Sequence, residues 1–543
     1  VEILATTMLT LPTLGALALF TTYFDTGRNL SILTHWGISV GVCLIAFLLA
    51  WSLPLLANTE ILIGNWFPIS VTFAPLVIHI TPEGTALAIT ITAIMAAKAF
   101  NQHEQIDPLI TIRYAALGLA ALSNNLVTML IGIGLNDAMT ILAALRDTKH
   151  PERVLPPAIV SAISLTLIFS SILVYSSGNQ SLYYPLVNLS ERAAMLALVG
   201  CLLRFIPIPF TLGRTMLQSS TIGGWVLLIQ FAKLSPIRIS NNLLLLYLSC
   251  GLLLLIISTL ATKRGNAFAG LTLGTLCLCF PTLLIGQPIL LTAAAITWLL
   301  GTTLIGIQFP SANQLTRRKL RWSLFFARAW GGLNLLGFPL TAGFIAHSGI
   351  WSILINRPRG LLYLAIWFLA QSLLVLATLR LMDFRSFRQN ESINPANYEF
   401  PLLIQRIAAL GAILSLGLPL LVLGIYPQLI EATSLIDNLG QQGLQGWSLW
   451  IASIGMGILL WVTEPRWRHL IGERDVAWGT LVIRDEIVTV LSLNWLGTLI
   501  QGAFRRIAAP FSYFFTIFES DGALIWAVII VLLAVLITFR PSP

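Results

Sequence analysis

Apolar runs of 18 residues or more recur along the whole chain, separated by short polar stretches, and they lack the ten-residue alternation of a transmembrane β-barrel. Each run is long enough to cross the roughly 30 Å hydrocarbon layer as a helix. About sixteen candidate spans follow, at approximately 3–22, 32–56, 72–98, 107–123, 125–145, 156–176, 193–211, 216–234, 242–261, 267–285, 289–308, 324–347, 361–382, 403–425, 446–463 and 523–540. The pattern predicts an all-α, polytopic membrane protein of about 14–16 transmembrane helices. The first run opens almost at Val1, with neither a basic n-region nor a small-residue cleavage site, and reads as a first span and not a removable signal.

Some spans carry residues that break helices. Pro207, Pro209, Gly223 and Gly224 fall in or between spans seven and eight, and Gly337 and Pro339 fall inside span twelve, in "GFPLTAGFIAH". A proline removes a backbone donor, and in lipid the freed carbonyl must be satisfied by protein or water, so broken helices at membrane depth line cavities or kink at packing contacts. No hydrophilic stretch is long enough for a separate soluble domain. The chain divides into a transmembrane core, 1–463, a charged loop and amphipathic stretch, 464–522, and a final span and tail, 523–543. In the second part, apolar and aromatic positions mix with Asn494, Gln501, Arg505 and Arg506, as in a helix lying along the membrane plane or in a loop with one half-buried helix.

Composition agrees. The 543 residues are 57% hydrophobic and 10% charged, against about 25% charged in soluble proteins. The net charge of +9 is concentrated in alternate connections: Arg28; Lys98 and Arg113; Arg146, Lys149 and Arg153; Lys263 and Arg264; Arg317, Arg318, Lys319 and Arg321; Arg385 and Arg388; Arg466, Arg468 and Arg474. The positive-inside bias places these loops in the cytoplasm or its equivalent, such as the stroma, and both termini on the other side. The basic excess is thus a topology signal, and nothing resembles a basic soluble module for nucleic acid. Cys43, Cys201, Cys250, Cys277 and Cys279 lie in apolar segments without metal-ligand spacing and read as packing residues.

The chemistry is carried by ionisable residues inside the spans, since such a group in hydrocarbon costs on the order of 3 kcal/mol and marks an ion path or a partner. Arg204 is embedded in "GCLLRFIPIPFTLGR" and Lys233 in "WVLLIQFAKLSP". Lys263 and Arg264 stand at a span boundary, where they could also snorkel to the interface. Asp137 lies in mid-span five beside Asn136, open to a relay role, a structural hydrogen bond or pairing with a base. His347 closes span twelve, as a relay or as a cap bonded to a carbonyl. Arg204, Lys233, Lys263, His347 and Asp137 are therefore the candidate ion-translocation residues.

These segments resemble the antiporter-like membrane subunits of complex I, shared with the Mrp-type cation/proton antiporters and membrane-bound hydrogenases. Gly337, Phe338, Pro339, Gly343, Phe344 and Ile345 fit that family's G-(I/F)-P-x-x-x-G-F-(I/L)-x-K pattern in a discontinuous twelfth helix, with His347 where the lysine belongs. Gly200, Arg204, Pro209, Phe210 and Thr211 are similar to its G-x-x-x-K-x-x-x-x-P-F-H. Lys233 matches the lysine of its discontinuous eighth helix, Lys263 and Arg264 match the K-R before its tenth, and "LGIYP" at 423–427 resembles the stretch after its fourteenth. The resemblance implies discontinuous helices at seven/eight and twelve, and a C-terminal lateral helix over residues 488–518 followed by a last span. The departures are specific. Asn136 takes the place of the family's helix-five glutamate with Asp137 one position on, Arg204 replaces the helix-seven lysine, and Thr211 replaces a histidine. Arginine keeps its charge under protein conditions and cannot relay protons as lysine can.

The resemblance implies a proton- or cation-translocating subunit of a multi-subunit energy-converting complex, alongside other membrane subunits that include further antiporter-like ones, in a bacterial plasma membrane or thylakoid. Two alternatives stand beside it: a degenerate member with a structural or altered-substrate role, and a stand-alone secondary transporter. The sequence carries no nucleotide loop, metal spacing or nucleophile set, so neither a cofactor nor an active site of its own is expected, and redox chemistry would belong to partner subunits.

Overall fold

The computed structural model describes residues 32–56, 60–65, 75–101, 109–147, 155–176, 189–205, 219–234, 241–261, 264–285, 288–307, 314–339, 341–382, 402–426 and 443–472, with Gly502 and Arg506. The chain forms two compact units, 1–484 and 485–543. All but the last two described residues belong to the first. The first and last predicted spans lie outside the described residues, as do Lys263, Pro207, Pro209 and all of the predicted lateral helix but Gly502 and Arg506.

Fifteen α-helices occur among the described residues. They are α1 (Ile32–Ala50), α2 (Pro82–Asn101), α3 (Leu109–Ala121), α4 (Leu126–Asp147), α5 (Leu155–Ser176), α6 (Glu191–Leu203), α7 (Ser219–Leu234) and α8 (Asn241–Leu260). They continue with α9 (Arg264–Cys279), α10 (Pro288–Gly306), α11 (Gln314–Leu335), α12 (Ala342–Ile355), α13 (Gly360–Met382), α14 (Leu402–Ile425) and α15 (Gly443–Gly472). Seven stretches among the described residues are long and apolar enough to cross a membrane, and four shorter apolar helices accompany them. The protein is an all-α, polytopic integral membrane protein.

One predicted span is corrected. The run 72–98 does not form a single helix: β2 (Pro75–His79) pairs antiparallel with β1 (Glu60–Asn65), and α2 starts only at Pro82. The local chemistry explains the boundary. Thr81 is the cap residue, with the Gly84 N–H donating to Thr81 Oγ1 at 3.2 Å and the Thr85 N–H to the Thr81 carbonyl at 2.8 Å. Pro82 then takes the first helical position, where its missing N–H costs nothing. Val77, Ile78 and Ile80 are buried, so the strand is as apolar as a membrane span and hydropathy alone does not separate the two.

Two helices form the inside of the bundle. In α2 and α10, 94% and 83% of the apolar window is buried, against 33% for the stretch that includes α1. α2 packs against α1, α3, α10 and α14, while α10 packs against α2, α7, α9, α11, α12 and α14. Threonines are admitted into these apolar interiors because each hydroxyl donates back to its own helix: Thr90 to the Ala86 carbonyl at 2.8 Å and Thr297 to the Ala293 carbonyl at 2.7 Å.

Candidate functional site

The buried charges form two pairs around α7. Asp137 is on α4, and Arg204 is the C-cap residue of α6. They meet as a bidentate pair, with Nη1 donating to Oδ1 at 2.9 Å and Nη2 donating to Oδ2 at 2.7 Å. Arg204 is 1% exposed and Asp137 5%. The Asn136 amide donates to the same Oδ1 at 3.2 Å. α7 passes over the guanidinium at Gly223 and Gly224, where a Cβ on Gly224 would lie 3.1 Å from Arg204 Cβ. The carboxylate that reaches the basic residue is therefore Asp137, and Asn136 supports it.

The far end of α7 carries the second pair. Lys233 Nζ donates to Thr81 Oγ1 at 3.0 Å and lies 3.5 Å from Glu83 Oε2. One turn earlier, Gln230 Nε2 donates to the carbonyls of Ala120 and Ala121 at 3.2 and 2.7 Å, fastening α7 to the open end of α3. Those are carbonyls that a helix C-terminus leaves without an internal partner. Sequence reading singled out Lys233 and missed Glu83. Its signal was present: an acidic residue inside the apolar run 72–98, directly after a Thr-Pro helix start.

The break in span twelve lies between α11 and α12, and it is wider than one proline. α11 ends at Leu335 and α12 begins at Ala342, with Pro339 in the intervening turn. Gly337 has φ +69, in the left-handed region that glycine adopts without steric cost. The freed carbonyls are accounted for by side chains. Leu335 O accepts from His347 Nε2 at 2.8 Å, Leu336 O accepts from Gln371 Nε2 at 2.9 Å and from Trp450 Nε1 at 3.0 Å, and Phe338 O accepts from Thr341 Oγ1 at 2.6 Å. Asn334 clasps the two half-helices, its Oδ1 accepting from the Gly343 N–H at 3.1 Å and its Nδ2 donating to the Thr297 carbonyl of α10 at 3.1 Å. The His347 ring stands edge-on to Trp367, with centroids 5.4 Å apart.

The bond to Leu335 places a hydrogen on His347 Nε2, since only an N–H can donate to a carbonyl. Nδ1 has no hydrogen-bond partner among the described residues. A proton arriving at Nδ1 finds no base beyond Nε2, because the group there is an amide carbonyl. In this conformation the imidazole satisfies the broken helix, and a hand-off requires the ring to turn away from Leu335.

Two further arginines are buried and were not singled out from the sequence. Arg380, on α13, donates to the carbonyls of Ser258, Thr259 and Ala261 at the end of α8, and its Nε lies 2.9 Å from Glu464 Oε1 of α15. It closes a helix C-terminus with a cation, as the macrodipole favours. Arg328, on α11, is 2% exposed. Both lie in apolar runs and were open to the criterion applied to Arg204.

The four candidate residues that the structure describes do not form one cluster. Asp137 and Arg204 are paired, Lys233 has Glu83 and Thr81, and His347 belongs to the break. α7 touches the first pair and carries the second, and α10 packs against both α7 and α12.

This arrangement of wrapped inner helices, short half-helices and a broken helix defines a fold, and it is one shared with chains of the Mrp complex and of respiratory complex I, as the sequence resemblance implied. Three of the solved structures that carry it illustrate the likeness. A chain of the Mrp complex from Dietzia sp. DQ12-45-1b aligns over 100% of this chain with a TM-score of 0.65 and 14% identity. Two structures of respiratory complex I from Thermus thermophilus, one with bound aureothin and one with bound NADH, align over 79% and 84% of this chain with TM-scores of 0.53 and 0.54 and identities of 16% and 15%. This chain spans 63% of the Mrp chain and 99% of each complex I chain. No protein-family profile and no curated protein matches the sequence. At these identities the likeness is one of fold.

Proposed function

We propose that the chain is a membrane subunit of a multi-subunit, energy-converting complex of the Mrp or complex I type, and that it moves protons or a cation through its buried polar side chains. The observation that carries this reading is the short helix α7, which packs over the Asp137–Arg204 pair at one end and presents Lys233 to Glu83 at the other. Charged groups are costly in hydrocarbon and are kept where an ion path needs them. Both termini then lie on the non-cytoplasmic side, residues 488–518 run along the membrane, and the partners are further membrane subunits, antiporter-like ones among them.

The test is ion flux in proteoliposomes containing the assembled complex. Lys233→Ala is expected to abolish flux while leaving assembly intact, and unchanged flux would sink the reading. For His347 two variants separate relay from cap. His347→Gln keeps an N–H donor for Leu335, so retained flux with His347→Gln and weakened folding with His347→Ala, by about 1–3 kcal/mol for a lost buried hydrogen bond, is the result expected of a cap. Loss of flux with His347→Gln at normal assembly is the signature of a relay.

A second reading is favoured by the bidentate Asp137–Arg204 pair: a member that retains the fold as a scaffold, its proton step lost with the lysine. Equal ion movement by the complex with and without this subunit supports it. A stable monomer with transport activity in mild detergent would instead identify a stand-alone transporter.

A further inference from the structure

Arg204, Lys233 and Arg380 each face a carboxylate, and the two pairs around α7 differ in one chemical respect. Arg204 and Asp137 have side-chain exposures of 0% and 6% and share two short hydrogen bonds. A guanidinium keeps its charge, so no proton enters or leaves that pair at its basic partner. Lys233 and Glu83 have side-chain exposures of 18% and 12% and are 3.5 Å apart. An ammonium is a compact charge that can give up its proton. We infer that Glu83 is the positioning carboxylate of Lys233, so that Glu83–Lys233, between α2 and α7, is an exchangeable charge pair, while Asp137–Arg204 is a fixed pair. The inference rests on the ion-moving function proposed above.

The local structure is built for such a pair. Glu83 stands in the first turn of α2 and Lys233 in the last turn of α7, so each charge complements the dipole of its own helix. With Lys233 neutral, Glu83 keeps the stabilisation of the α2 N-terminus and remains an anion beside the amine, ready to favour the return of the proton. Thr81 joins the two roles: its Oγ1 caps α2 through the Gly84 N–H and accepts from Lys233 Nζ. Movement of the lysine is thereby coupled to the start of the most deeply buried helix. Gln230, one turn back along α7, fixes the approach by its bonds to the end of α3. Both charges of this pair keep part of their surface exposed, whereas Arg204 is fully enclosed.

A purely mechanical tie between α2 and α7 would use the same contacts, and charge-preserving variants separate the two roles. Lys233→Arg keeps a cation able to bond Thr81 and Glu83 but holds its proton. Glu83→Gln keeps the shape and the hydrogen bonding but removes the charge, and Glu83→Asp restores the charge on a shorter stem. The assembled wild-type and variant complexes are reconstituted in proteoliposomes with an internal pH-sensitive dye, and assembly is followed by size-exclusion chromatography. The expected result is normal assembly throughout, flux lowered about tenfold or more in Lys233→Arg and Glu83→Gln, as loss of a charge-assisted contact implies, and flux recovered in part in Glu83→Asp. Wild-type flux in Lys233→Arg or Glu83→Gln overturns the inference, and so does failure of either to assemble, which would mark the pair as a tie. Absence of flux in the wild-type complex overturns the proposed function instead.

Discussion

Asp137→Ala is expected to be among the most damaging single substitutions in the chain, lowering stability by about 3–5 kcal/mol, the cost of leaving a buried charge without its partner. Arg204 is 1% exposed and spends both Nη groups on the Asp137 carboxylate, so the guanidinium has no water to fall back on. Asp137→Asn should be milder, because an amide oxygen still accepts one of the two hydrogen bonds. The informative partner is the double replacement Asp137→Leu with Arg204→Met, which removes both charges and fills the site with apolar atoms. Exchanging a buried ion pair for packed side chains is often neutral or stabilising by ~1–4 kcal/mol. Thermal unfolding of the detergent-solubilised complex measures all three. If the single variant unfolds and the double variant is as stable as wild type, the pair is a solved electrostatic problem and not a source of stability. Wild-type stability in Asp137→Ala would mean that Arg204 reaches water or a second acceptor.

Gly343→Ala is the second large effect. A Cβ at this position would overlap the carbonyl oxygen of Asn334 and lie 2.9 Å from its carbonyl carbon, and those are backbone atoms held by α11. The start of α12 must therefore separate from the end of α11. That movement breaks the bond from the Gly343 N–H to Asn334 Oδ1 and disturbs the contact of Asn334 with Thr297. Overpacking a core costs about 1–3 kcal/mol when side chains can yield, and more is expected where backbone is the obstacle. The control is Gly417→Ala on α14, where the nearest neighbouring atom, on the Trp330 side chain, would be 3.5 Å away. There the substitution removes a helix-interior glycine and should be neutral or stabilising by up to about 1 kcal/mol. Yield of folded complex after detergent extraction separates the two. Equal yields for both variants would show that the junction between α11 and α12 is looser than its geometry.

Some of this site could be read before any coordinates. Gly337 and Pro339 placed the break inside span twelve because the residues that break helices are few and each acts locally. Arg204, Lys233 and Asp137 could be chosen because a charge in an apolar run is anomalous on energetic grounds alone. Glu83 obeys the same rule and escapes it, because hydropathy reads the run 72–98 as one span, although Thr81 and Pro82 divide it into a strand and a helix. Arg328 and Arg380 likewise satisfied the rule in the sequence, but their surroundings did not. The carbonyls that Arg380 closes belong to α8, and its counter-ion Glu464 to α15.

The sequence by itself determined that the chain is a membrane protein of many helices, where most of its long described helices run, where one of them breaks, and that Arg204, Lys233 and Asp137 are out of place in lipid. Those properties follow from hydropathy and local backbone chemistry, which act over a few residues. The tertiary structure alone decided which charge meets which: Asp137 with Arg204 across α4 and α6, Glu83 with Lys233 across α2 and α7, and His347 with a carbonyl freed at the break. Pairing across helices depends on how each helix is rotated and how deep it sits. Those are set by packing summed over many distant contacts, which no single stretch of sequence contains.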